Sequence, residues 1–170
     1  MLPLWLVWAA MISTSFILGV MALLVAPPAS NVVPADPAGL IIAFGFFSAV
    51  LLAISATIRK KYYNDGVIQE ALKAYRAENK TDSTDAQKDA KGLASTPLEA
   101  AVGKKIFVPL ALSWALCEAV AIHGFALSQQ LKMKWVYLPF GLPAFLMLVL
   151  FKPSVRHIQS LITRFEAENS

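Results

Sequence analysis

An all-α membrane protein is the fold class this sequence predicts. It would be a four-transmembrane-helix bundle of two tandem hairpins, followed by an amphipathic C-terminal interfacial helix. Three observations carry the prediction. The chain is 57% hydrophobic and 15% charged, with a mean hydropathy of +0.58, whereas a soluble domain has about 25% charged residues. Four apolar runs, 2–26, 39–58, 106–128 and 135–151, hold between them a single Asp, Glu, Lys or Arg, which is Glu118. Ten of the fifteen Lys and Arg residues fall in one stretch, 59–105. Runs of roughly 17–25 apolar residues cross the hydrocarbon as helices.

The first run, 2–26, has Trp5 and Trp8 near its start, where amphipathic rings favour the interface. A signal peptide competes, because small residues follow in APPAS. Against it, the start lacks Lys and Arg, and the run is long for the apolar core of a signal. Four prolines make 26–38 a loop.

In the second run, 39–58, Gly45, Ala49 and Ala53 recur every four residues and Thr57 continues the row. Such small-residue spacing lets helices approach closely in lipid. It is also what the abundance of Ala and Gly in spans would produce.

Residues 59–105 form a basic loop whose first half, 64–78, reads as a helix. Val67, Ile68, Ala71, Leu72 and Tyr75 make one apolar stripe at spacings of three and four. Residues 79–90 are polar and read as a linker. Ser95 or Thr96 is placed to cap a helix that enters the third run. Run 135–151 is short, and Pro139, Gly141 and Pro143 crowd its first turns, which predicts a distorted opening. Trp135 and Tyr137 mark its outer end, and Lys152 is placed to snorkel at the inner one. In the tail, 153–170, Val155, Ile158, Leu161, Ile162 and Phe165 share a face, which predicts an amphipathic helix at the membrane surface or against a partner.

The organisation is therefore hairpin 1 (1–58), a loop (59–105), hairpin 2 (106–152) and a tail (153–170). By the positive-inside rule the loop and both termini face the cytoplasm, with Lys132 and Lys134 a mild exception. The expected location is the bacterial inner (cytoplasmic) membrane. Cys117 is the single cysteine, so no intrachain disulfide can form.

Glu118 is the candidate functional residue. An ionisable group at mid-membrane is costly and needs a partner. Laying Trp8–Leu23 over Trp114–Leu127 makes the first and third runs parallel copies, with Ser13 opposite Glu118. Counting along each helix puts Ser13, Ser48 and Glu118 about 15–18 Å from the inner boundary. Ser13, Ser15 and Ser48 are thus the expected hydrogen-bond partners. His123, five residues on, points about 140° away from Glu118, which disfavours a Glu118–His123 pair or a metal site that includes Cys117. Packing between helices or an outer-leaflet polar contact suits His123 better. A protonated carboxyl at position 118 can either lock helices together or carry protons.

The segment ALCEAVAIHGFALS, Ala115–Ser128, resembles the carboxylate-bearing helix of rotary ATPase (F- and V-type) proteolipids, whose pattern is close to AL-x-EA-x-AIYG. The resemblance covers one helix in four. It implies that Glu118 is an ion-carrying carboxylate, with Ala115 and Ala119 as its small neighbours and Gly124 as the following glycine. His123 stands where that family commonly has an aromatic. The AL-x-EA motif is also similar to that of uncharacterised bacterial four-span proteins.

No nucleophile–base set, phosphate-cradling glycine loop, haem-ligand pair or Cys/His metal spacing is present, so neither enzyme activity nor a cofactor is expected. The loop mixes acidic with basic residues, which argues against specific nucleic-acid binding. The expected function is a non-catalytic structural or accessory subunit of a membrane assembly, with a buried protonated Glu118. The alternative is a proton-translocating proteolipid-like subunit. Expected partners are the lipid bilayer and other protein chains or copies of this one. Gly45, Ala49, Ala53, Ala115 and Ala119 would form the helix-packing ridge.

Overall fold

The computed structural model describes residues 2–25, 36–79 and 97–168. It is all-helical over these residues, with no strand among them. The helices are α1 (Leu2–Leu24), α2 (Pro37–Tyr62), α3 (Asp65–Asn79), α4 (Pro97–Gln130), α5 (Leu138–Leu150) and α6 (Val155–Ala167). Three of them are long and apolar enough to cross a membrane, over Leu4–Leu24, Pro37–Tyr62 and Ala100–Gln130. The fourth apolar stretch, Lys134–Leu150, is shorter. The expected cap at Ser95 or Thr96 and the linker at 79–90 lie almost wholly outside the described residues.

Local chemistry explains most helix ends. Helix α2 starts two residues before the apolar run, because Asp36 accepts a hydrogen bond from the Gly39 N–H at 2.8 Å and Pro37 occupies the first turn. It also runs four residues beyond the apolar run, carrying Arg59, Lys60 and Lys61 in its last turn, where cations suit the carbonyl end. Asn64 then caps α3, its Oδ1 accepting from the Val67 N–H at 3.0 Å, so α3 is a new helix rather than an extension of α2. In the fourth run the expected distortion takes the form of a 3-10 turn, Lys134–Tyr137, before α5 begins. Ser154 caps α6 by accepting from the His157 N–H.

Helix α4 is the hub, and α1, α2, α3 and α5 all pack on it. Contacts at the two ends set the directions. Trp8 and Trp114 both reach the end of α5, while Ser15 and Gly124 meet residues at its start. Helices α1 and α4 therefore run parallel, and α5 runs against both. Helix α2 opposes α4, since Ser55 meets Ser113 and Phe44 meets His123. Among the described residues α1 and α2 do not pack as a pair. The two helices of the expected first hairpin are joined through α4 instead.

The tail helix departs from expectation too. The apolar face of α6 is not turned to lipid. Ile158, Leu161 and Ile162 are buried with Ile68, Ala71 and Leu72 of α3 and with Val102 and Ile106 of α4. Two exposed polar contacts border this layer, a hydrogen bond between His157 Nε2 and Asp65 Oδ1 at 2.8 Å and an ion pair between Lys105 Nζ and Glu70 Oε2 at 3.3 Å. Exposed pairs contribute little, so packing holds α3 in place. Leu72→Ala is expected to cost about 2–5 kcal/mol of local stability, and Asp65→Asn less than about 1 kcal/mol. Amide hydrogen exchange in α3 checks both; equal effects of the two changes would refute the assignment.

Candidate functional site

Two tryptophans at matching places on parallel helices hold the end of α5. The Trp8 indole N–H donates to the Leu148 carbonyl at 2.8 Å, and that of Trp114 donates to the Phe151 carbonyl at 3.1 Å. Carbonyls at a helix end lack intrahelical partners, and Pro153, two residues past Phe151, supplies no N–H. The indoles fill that need. Lys152 lies over the rings of both Trp5 and Trp8, with its ammonium 5.9 and 5.8 Å from the ring centres. Trp5 is exposed as expected of an interfacial ring, but Trp8 is buried.

At the other end Trp135 is exposed, whereas Tyr137 turns inward. Its ring fits against Gly19 and Gly141, and its hydroxyl donates to the Ser15 carbonyl at 3.1 Å. Tyr137 thus closes α1 on α5 and does not mark the interface.

Glu118 sits on the α1-facing side of α4, only partly buried. The side chain of α1 beside it is Thr14. None of the three expected hydroxyls takes that place. Ser13 is exposed and donates to the Ala9 carbonyl at 2.8 Å, while Ser15 and Ser48 are buried with unpartnered hydroxyls. The helical repeat gives the reason, since consecutive residues point about 100° apart. Matching two helices by sequence sets depth without setting facing, and the residue of α1 that turns toward Glu118 is the one after Ser13.

His123 lies on the opposite, α2-facing side. Its ring is edge-on to Phe44 at 5.6 Å and tilted against Phe47 at 5.5 Å, which is interhelical packing. Its Nδ1 is buried without a partner.

Among the described residues the expected ridge on α2 meets little of the chain. Ala49, Ala53 and Thr57 are exposed, and a Cβ added at Gly45 would meet nothing within 4 Å. Helix α2 meets α4 through Ser48 and Ser55, seven residues apart, a spacing that was visible in the sequence. On α4, Ala115 is exposed and Ala119 partly buried, flanking Glu118.

A buried polar cluster joins α2 to α4, built from Cys117 and from two residues the sequence did not single out, Ser55 and Ser113. The Ser55 and Ser113 hydroxyls are 2.8 Å apart, and each lies within reach of the other's carbonyl, at 2.9 and 3.2 Å. The Cys117 sulfur is 3.2 Å from the Ser55 hydroxyl. All three residues are fully buried. Every polar atom here has a partner, so the cluster knits α2 to α4. Ser113 and Cys117 are spaced one turn apart, the signal that could have found them. Among the described residues no group of three His, Cys, Asp or Glu side chains comes together to hold a metal.

These features define a membrane protein, all-helical over the described residues, with a partly buried carboxyl on a spanning helix. No protein-family model, curated protein or solved structure matches the chain.

Proposed function

We propose that this chain is a four-span protein of the bacterial inner membrane, two hairpins with both termini and the 59–105 segment in the cytoplasm. In this reading it serves as a non-catalytic structural or accessory subunit, and a companion helix covers the α1–α4 groove at Glu118. The observation that carries the reading is the partial exposure of Glu118 on a spanning helix, with Thr14 the side chain beside it among the described residues. The Thr14 hydroxyl already donates to the Ala10 carbonyl at 3.0 Å. It has no second proton to give the carboxyl, which leaves Glu118 open to a partner from another chain. Exposed Ala10 and Ala115 beside the pair leave room for another backbone to approach.

Native mass spectrometry of detergent-extracted protein tests this. The wild type is expected to retain a second chain, whether a different protein or another copy. Glu118→Leu is expected to weaken that association about tenfold, the scale of one interhelical hydrogen bond in lipid. Ala115→Trp is expected to abolish it, and Glu118→Gln to keep it. Unchanged association in both Glu118→Leu and Ala115→Trp would remove the basis for the reading.

A second reading, a proton-translocating proteolipid-like subunit, draws on the same outward placement and on the resemblance around Glu118. It requires that Glu118→Gln abolish proton flux and that dicyclohexylcarbodiimide modify Glu118 in a pH-dependent way. The accessory-subunit reading requires neither.

A further inference from the structure

The end of the bundle where α1 begins and α2 and α5 finish carries five cations, Arg59, Lys60, Lys61, Lys152 and Arg156. The segments that meet there, 2–8, 59–64 and 148–156, contain no Asp or Glu. The next acid along the chain, Asp65, is bonded to His157. Two of the five cations are held by aromatic rings. The Arg59 guanidinium lies 4.6 Å from the centre of the Phe151 ring and 4.9 Å from that of Tyr63. The Tyr63 hydroxyl in turn accepts from the Ser154 N–H at 2.8 Å. Lys152 stands over Trp5 and Trp8. Rings hold a cation in place without neutralising it. Neither Arg59 nor Lys152 pairs with a carboxylate among the described residues. Arg59 is part-exposed, and Lys60, Lys61, Lys152 and Arg156 are exposed.

The geometry points to a binding surface for anionic phospholipid headgroups, with Arg59 and Lys152 as its fixed cations. Each follows directly on the last residue of an apolar run, Ile58 and Phe151. They therefore stand at the edge of the hydrocarbon, beside the headgroup region. A guanidinium offers paired N–H groups to phosphate oxygens, and an ammonium a point charge. Headgroup charge decides among lipids. A zwitterionic head brings its own ammonium up against Lys60, Lys61 and Arg156, whereas a head without one brings only the phosphate. Position decides between a lipid and a free phosphate. Leu146 and Leu150 of α5 and Ile54 of α2 are exposed within two turns of the cations, so acyl chains gain cover there that a soluble phosphate lacks. The opposite end of the bundle holds Lys132 and Lys134 with Asp36, so the surface belongs to one leaflet. None of these residues enters the proposed role of Glu118.

The test uses the full chain in detergent, read by native mass spectrometry. Dioleoylphosphatidylglycerol is the probe, dioleoylphosphatidylcholine the zwitterionic control and glycerol phosphate the head without chains. The anionic lipid is expected to be retained about tenfold more strongly than the zwitterionic one, and glycerol phosphate not at all. Arg59→Gln and Lys152→Gln are each expected to lower retention of the anionic lipid about fivefold, the scale of one cation near an anionic surface, and to leave the control unchanged. Lys132→Gln with Lys134→Gln, at the other end, is expected to cost less than either. Equal retention of the two lipids, unchanged retention in Lys152→Gln, or a loss as large from the Lys132 and Lys134 changes would overturn the proposal. Binding of glycerol phosphate as strong as that of the lipid would assign the surface to soluble phosphates and overturn it too. Circular dichroism checks that each variant is folded. If Arg59→Gln is not, the exposed Lys152 decides the matter, and Arg59→Lys, which keeps the charge, must retain the preference for the anionic lipid.

Discussion

Trp114→Ala is expected to be the most damaging single change in the chain, lowering stability by about 3–5 kcal/mol. The side chain is 0% exposed and lies in the cluster that joins α1, α3, α4, α5 and α6. In lipid the apolar phase outside the protein is no worse a solvent than the interior, so the loss comes from contacts and the cavity rather than from hydration. The indole also satisfies the Phe151 carbonyl just before Pro153. Trp114→Phe keeps much of the ring and removes the donor, so it isolates the hydrogen bond at about 1 kcal/mol. Unfolding in mixed detergent micelles measures both. A Trp114→Ala variant no less stable than Trp114→Phe would show that the ring does not support the fold.

Gly124→Ala is expected to cost about 1–3 kcal/mol by overpacking. A Cβ there would stand 2.5 Å from the Phe140 Cβ and 3.3 Å from the Tyr137 carbonyl oxygen, so α4 and the start of α5 must move apart. Gly45→Ala meets open space and is expected to raise helix stability by about 0.5–1 kcal/mol. The two glycines, both in apolar helices, should thus respond with opposite signs. Thermal melting of the two variants against wild type gives the answer, and a shared sign would contradict the packing described. Gly124, which the proteolipid resemblance singles out, has a packing role here whatever Glu118 does.

The helices themselves were legible because burial in lipid needs long runs with almost no charge, and four such runs stand out, with Glu118 their one charged residue. The faces of α3 and α6 were legible too, since each carries apolar residues on one side only and one face must find cover. Ile68, Leu72, Ile158 and Ile162 are buried as their spacing implied, though on one another rather than on lipid. The faces of α1, α2, α4 and α5 were not legible. A helix apolar all round gives no sign of which side meets protein. That is why the row Gly45, Ala49 and Ala53 turned out to look outward. It is also why Tyr137 reads as an interface marker while it reaches in to Ser15. At Glu118 the sequence supplied the residue, and the placement of Thr14 rather than Ser13 beside it depended on rotation about α1.

The length of α4 has a mechanical consequence. Its 34 residues extend ~51 Å, well past the ~30 Å of hydrocarbon. Lys105, paired with Glu70, and Glu118, beside Thr14, ride on the same rod ~20 Å apart. Twisting the rod at one station twists it at the other, as with a key in a lock. Pro109 stands between the two stations, and its missing N–H leaves one rung out of the ladder. A bend of the shaft costs least at that rung, which lies between the carboxyl and the layer formed with α3 and α6.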